Sequence, residues 1–205
     1  MALNNIIYNQ ELSNTIAVYV KKLFNKYQTS QLVYHNLNHT QNVFGRMMEI
    51  SLNYSLNEID TFVLSTATWF HDCGHLFGPA TNHEAKSILV MRNHLKNIGM
   101  EEYIIQLIHQ CILSTKLPND PHSLLEGILC DADLYHLGTD HFFITDELVK
   151  KEFELRNNFL PPNWDESTLS FLESHSYFTY YCQSFLEAGK LKNINTLRER
   201  INGKR

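Results

Sequence analysis

Residues 66–87 read TATWFHDCGHLFGPATNHEAKS. An apolar helical run leads into His71 and Asp72, glycine and proline break the pattern between Gly74 and Pro79, and a second helical pattern opens at His83. Three histidines and an aspartate crowd this helix–break–helix unit. Two readings compete: a metal site, or a polar helix end that happens to be rich in imidazole. The rest of the chain must supply matching ligands if the first is right.

Outward from this unit the periodicity stays helical. Only 8 glycines and 5 prolines punctuate 205 residues, and no strong alternating strand pattern occurs. Ile6–Tyr27 forms an amphipathic helix with Leu12, Ile16, Tyr19, Val20, Leu23 and Phe24 near one face. Further helices are expected over 39–52, from the capped SLNEID opening to His71, over 83–97 with Asn82 as cap and Gly99 as stop, and over 101–114. Ser123 caps a helix ended by Gly138, Thr145–Phe159 forms a charged one, and a long final helix covers 166–188 with a short one from Asn195. No repeat, low-complexity tract or dividing linker interrupts the series. The expectation is one all-α domain over residues 1–205, with a motif-bearing core at about 34–138 and C-terminal helices at about 145–202 packed on it.

Composition narrows the function classes. Apolar content of 43% and charged content of 19% suit a soluble globular chain. A formal charge of −5 argues against a general nucleic-acid binder, which needs a basic face, and no DNA-binding signature is present. Cys73, Cys111, Cys130 and Cys182 are scattered without a CxxC pair, as in a reducing compartment. No signal peptide and no apolar run long enough to span a membrane is evident, so a cytoplasmic location is expected.

The matching ligands are present. His39 stands in YHNLNHTQNV at the start of a helix, and Asp131 and Asp133 stand in LCDADLYHLG among apolar neighbours. Burying carboxylates there is costly unless a cation or hydrogen-bond donors meet them. Imidazole with carboxylate suits Mn, Fe, Co, Ni or Zn, with Mg less natural.

The ordered set H … HDxGH … HExxS … DAD, at His39, residues 71–75, residues 83–87 and residues 131–133, resembles the HD superfamily of metal-dependent phosphohydrolases. The resemblance covers about residues 34–138. It implies an HD-type helical bundle, with His39, His71, Asp72 and Asp133 as ligands of one divalent transition metal. It also places His75 and His83 at the phosphate site or at a weaker second metal, which would use Asp72 as a bridge. His109 is a poor match for a further ligand, and Thr115 stands where many dinuclear relatives carry histidine.

The implied activity is hydrolysis of a small phosphorylated molecule, a nucleotide or nucleotide-like metabolite, as a mono- or diesterase. Asp72 would orient the attacking water, and His75 or His83 would steady the phosphate and supply a proton. Glu84 is a candidate for fixing a histidine tautomer, and Arg46, Lys116 and Arg156 for meeting the phosphate charge. Arg156 could equally pair with Glu152 on the same helix. Asp131 reads as orienting a ligand or a water, and Cys73 as an apolar filler.

Bland roles are assigned to the remainder. His35, His94, His122, His136, His141 and His175 are expected to be structural or solvated. Lys150, Lys151, Lys190 and Lys192 should be solvated, and the aromatics of the C-terminal half, from Phe142 to Phe185, should be mostly core. Two other functions fit the same residues: a mixed-valent di-iron oxygenase, which needs more histidine ligands, and a non-catalytic metal-bearing nucleotide sensor. An oligomer is compatible with all three.

Overall fold

A computed structural model describes residue 8 and residues 10–203. Its described residues contain nine α-helices and no strand, packed as one bundle. The all-α expectation holds. Helix α1 (Gln10–Tyr27) buries Ile16, Ala17, Val20 and Phe24, with Leu12, Tyr19 and Leu23 packed beside them, so the expected apolar face is the one used. Its expected start at Ile6 lies outside the described residues. α2 (Leu37–Ser51) is capped by Asn36, whose side chain accepts from the His39 amide at 3.1 Å. α3 (Glu58–Phe70) opens on a capping box between Asn57 and Asp60, and every residue from Phe62 to Phe70 is buried.

After α3 the chain turns through a short 3-10 helix, Cys73–Phe77, before α4 (His83–Asn97). Asn82 does not cap α4 with its side chain as expected; it takes the left-handed conformation at φ 58° that turns the chain into the helix. α5 (Glu102–Ser114) and α6 (Leu124–Asp133) follow, the latter capped by Ser123. α6 stops at Asp133 rather than running to Gly138, because residues 135–138 tighten into a second 3-10 turn. These elements close the main core around Phe24, Met47, Phe62, Phe70, Met91 and Ile105.

The C-terminal third departs most from expectation. α7 (Phe142–Asn157) begins three residues early, and the expected long final helix is two helices, α8 (Trp164–Ser174) and α9 (Tyr180–Asn202). The break has a visible cause. Buried Asp131 accepts from the amides of Phe178 and Thr179 and from the Thr179 hydroxyl, at 2.9, 2.7 and 2.6 Å, while Thr179 caps α9. Asp131 therefore anchors the α8–α9 turn instead of a metal ligand. Lys190, expected in solvent, is buried and donates to the His175 carbonyl in the same turn at 2.7 Å.

A smaller core of Leu137, Phe142, Leu172, Ile194, Leu197 and Ile201 joins α7, α8 and α9. Phe159, Phe178, Tyr180 and Phe185 are exposed, so the aromatics here are less uniformly core than expected. α9 rests on the second 3-10 turn through two glycines. A Cβ on Gly189 would lie 2.0 Å from the Gly138 carbonyl oxygen, and one on Gly138 would lie 2.5 Å from that of Leu186. No helix among the described residues is long and apolar enough to cross a membrane, and all four cysteines are free and buried.

Candidate metal centre

Four elements deliver the central residues. His39 comes from the first turn of α2, His71 caps the C-terminus of α3, Asp72 begins the turn after it, and Asp133 ends α6. One ligand atom from each lies within 4.8 Å of all the others. His39 Nε2 is 3.1 Å from both Asp72 Oδ2 and Asp133 Oδ1; His71 Nε2 is 3.3 Å from the former and 3.6 Å from the latter. An ion bound about 2.1 Å from each atom places neighbouring ligands about 3.0–3.5 Å apart. Three of these four distances fall in that range and the fourth lies just beyond it.

Three of those inward atoms, His39 Nε2, His71 Nε2 and Asp72 Oδ2, are buried without a hydrogen-bond partner. Groups so placed are costly unless something else satisfies them. His71 Nδ1 donates to the Thr68 carbonyl at 2.7 Å, leaving the Nε2 lone pair facing the cluster. Burial alone would depress the His39 imidazole, but the facing carboxylates of Asp133 and Asp72 outweigh it and raise it to about 9. His71 is raised likewise, mainly by Asp72 against its burial. Burial opposes ionisation of Asp72 and Asp133, yet the two imidazoles hold both carboxyls below their usual range.

A row of imidazoles flanks Asp72. Three rings stack in series, His35 on His75 at 4.1 Å and His75 on His83 at 4.0 Å between centroids. His83 Nε2 lies 3.5 Å from Asp72 Oδ1, and His75 Nε2 lies 3.9 Å from it. The HDxGH and HExxS stretches interlock to hold this arrangement. The Gly74 amide donates to the Ser87 hydroxyl at 2.8 Å, and a Cβ on Gly74 would sit 1.9 Å from the His83 carbonyl oxygen. Only glycine lets the turn approach α4 this closely. Cys73 is buried, and burial pushes its thiol up, in keeping with a filler.

α7 buttresses the stack. Glu152 accepts from the amides of Tyr34 and His35 at 2.8 and 2.9 Å and from His35 Nδ1 at 2.7 Å. Arg156, four residues on, contacts His75 Nδ1 at 2.7 Å, Glu152 at 3.2 Å and the Gly78 carbonyl at 2.8 Å. Both roles read for Arg156 are thus partly visible: it pairs with Glu152, and it lies beside the site while spending its donors on protein. Burial, then the charges of His35, His83 and Arg156, depress the His75 imidazole to about 2 against the pull of Asp72. His75 is neutral at physiological pH and does not supply a proton as an imidazolium.

The remaining expected residues separate. Arg46 lies with its guanidinium 4.4 Å from the Tyr135 ring and 2.6 Å from Glu49, on the wall of a cleft of about 550 Å³ that opens onto His39 and Asp133. Asn42, His136 and His141 line the same cleft. Glu84 is buried 3.7 Å from His83 Nε2, but the His83 tautomer is set by Nδ1 donating to the Ala80 carbonyl at 3.1 Å. Lys116 is exposed in a different cleft with Pro118 and His122, so it is not beside the ligands. The Thr115 hydroxyl donates to the Ile112 carbonyl at 2.8 Å.

His35, expected to be structural or solvated, lies beside Asp72 and His75, together with Tyr34, which was not singled out, and Glu152, which was read only as a partner of Arg156. The sequence signal for His35 lay one turn before His39 in YHNLNH; that for Glu152 was its spacing from Arg156. Compared with known proteins, the chain matches no family model, no curated protein and no solved structure.

Proposed function

We propose that the chain is a metal-dependent phosphohydrolase of the HD type, acting on a small phosphoester such as a nucleotide or nucleotide-like metabolite. The observation that carries this reading is the convergence of His39, His71, Asp72 and Asp133, with inward atoms that no protein group satisfies. Two imidazoles and two carboxylates suit Mn, Fe, Co, Ni or Zn. A divalent cation supplies Lewis acidity there, making water more acidic and polarising a phosphoryl oxygen.

The chain's own groups fit the remaining tasks. The second oxygen of Asp72, Oδ1, faces His75 and His83 and can accept a hydrogen bond from an attacking water. Neutral His75 can donate from Nε2 to a phosphoryl oxygen. Asp133 is the most exposed of the four ligands and borders the cleft, which gives the substrate an approach. The cleft volume is in the usual range for small-molecule sites, about 300–1,000 Å³. Arg46 on its wall can offset phosphate charge.

The test is a phosphate-release screen of metal-loaded protein on phosphorylated metabolites, run beside metal analysis. Asp72→Ala should lose the bound metal and lower turnover at least about 100-fold. Full activity in Asp72→Ala would sink the proposal.

A further inference from the structure

The structure assigns the cleft along α2 to the nucleoside part of a nucleoside monophosphate, with the planar ring seated on the face of Arg46, Tyr135 backing that platform and Gly45 leaving the floor beside it bare. This rests on the reading of the His39–Asp133 cluster as a metal-bearing phosphoester site, and it names the substrate class that site takes.

The cleft opens at His39 and Asp133 and follows α2. Asn42 and Arg46 stand three and seven residues beyond His39, on one face of the helix, so Arg46 lies about 10 Å along the axis from it. An occupant with its phosphate at the ligands therefore meets Arg46 with its far end. The guanidinium carbon of Arg46 is 4.4 Å from the centre of the Tyr135 ring. Its Nη1 donates to Glu49 Oε2 at 2.6 Å, while the Tyr135 and Tyr181 hydroxyls donate to Glu49 Oε1 at 2.7 and 2.6 Å. One carboxylate thus ties the guanidinium to the tyrosine it covers. The Arg46 side chain is still 49% exposed on the cleft wall, which leaves a fixed planar face open to a ring. Such faces stack on nucleobases.

Gly45 points the same way. It lines the cleft from the interior of α2 with no positive φ, and a Cβ there would meet nothing within 4 Å. Glycine weakens a helix interior, and no neighbour in the fold requires it at this position. A bound ring does, since a side chain would take up the space beside Arg46. Charge sets the number of phosphates. Among the described residues that line the cleft, Arg46 alone is a lysine or arginine, and Glu49 answers its charge. With Asp133 on the same wall, nothing fixed there offsets the added anions of a diphosphate or triphosphate. The other polar groups are amides of Gln41 and Asn42, the Thr145 hydroxyl and the imidazoles of His136 and His141, which suit hydrogen bonding to a sugar or base.

Binding to the full-length, Zn-loaded protein tests this, with phosphonate analogues whose C–P bond resists hydrolysis. The 5′-phosphonate analogues of adenosine and uridine should bind at least about tenfold more tightly than that of ribose. A methylene-bridged triphosphate analogue of adenosine should bind no more tightly than the monophosphonate. Arg46→Ala and Arg46→Lys should both remove the advantage of the ring and leave the ribose analogue unaffected, whereas a phosphate contact would weaken all ligands alike in Arg46→Ala and survive in Arg46→Lys. Gly45→Leu should keep its helical content and bound zinc and lose the same advantage. Equal binding of ring-bearing and ringless analogues, tighter binding of the triphosphate analogue, full ring preference in Arg46→Lys, or no binding of any analogue would overturn the inference. No phosphate release from nucleoside monophosphates, with the expected binding pattern intact, would overturn the proposed reaction and leave this inference standing.

Discussion

Glu152 gathers four hydrogen-bond donors on one nearly buried carboxylate: two backbone amides, His35 Nδ1 and Arg156. Burial pushes its pKa up, but the hydrogen bond and charge of His35 and the two amides outweigh that and bring it from 4.5 to about 2. A group with a depressed folded pKa stabilises the fold above its unfolded pKa, and that stability is lost as pH falls from about 4.5 towards 2. The shift corresponds to about 3 kcal/mol. Glu152→Gln should therefore lower stability at neutral pH by about that amount and flatten the acid limb of an unfolding free-energy profile. An unchanged acid limb would mean that the carboxylate is not so held. At the other pole, His39 carries a proton up to about pH 9 in the metal-free protein. Metal uptake must release it, so affinity should rise with pH towards 9, by up to about tenfold per unit for each proton displaced. Titration calorimetry in buffers of different ionisation enthalpy reads that release directly. His39, His71, Asp72 and Asp133 were legible in the sequence because their local settings were distinctive; His35 was not, since nothing in YHNLNH says which imidazole turns inward.

Between elements, Gly74 and Asp131 do comparable work at opposite ends of the site. Gly74→Ala drives a methyl into the first turn of α4, which must shift and carry His83 with it. The expected cost is about 3 kcal/mol, and the His83–Asp72 spacing should change in a crystal structure of the variant. Asp131→Ala leaves the amides of Phe178 and Thr179 and the Thr179 hydroxyl without their acceptor. That change should cost about 3 kcal/mol in denaturant unfolding, and hydrogen exchange should speed up first in residues 175–182. These elements also mark where sequence reading stops. Asn36 and Asn57 cap α2 and α3 and Gly99 stops α4, and the bounds of α2 to α5 were close to expectation. The α8–α9 break depends on a carboxylate more than forty residues upstream, which no local pattern announces.

At the scale of the whole molecule, an ion held at this cluster by the folded chain alone would tie its four elements together. Stabilisation follows the ratio of free metal to Kd and reaches about 4 kcal/mol at a thousandfold excess. Mn²⁺ or Zn²⁺ at that excess should raise Tm by about 10 °C, and a chelator should reverse the shift. An unmoved Tm would deny a site of useful affinity. The all-α class was legible because helical periodicity runs through the whole chain. The joining of the two cores was not, because it depends on backbone approach. At that joint, Gly138 and Gly189 set α9 directly against the turn that follows Asp133. All four candidate ligands stand on or beside helices of the main core, and the turn that follows Asp133 is also braced from the far end of the chain. A chain cut before α9 would thus leave that turn unsupported, and should bind metal more weakly well before it lost its helices.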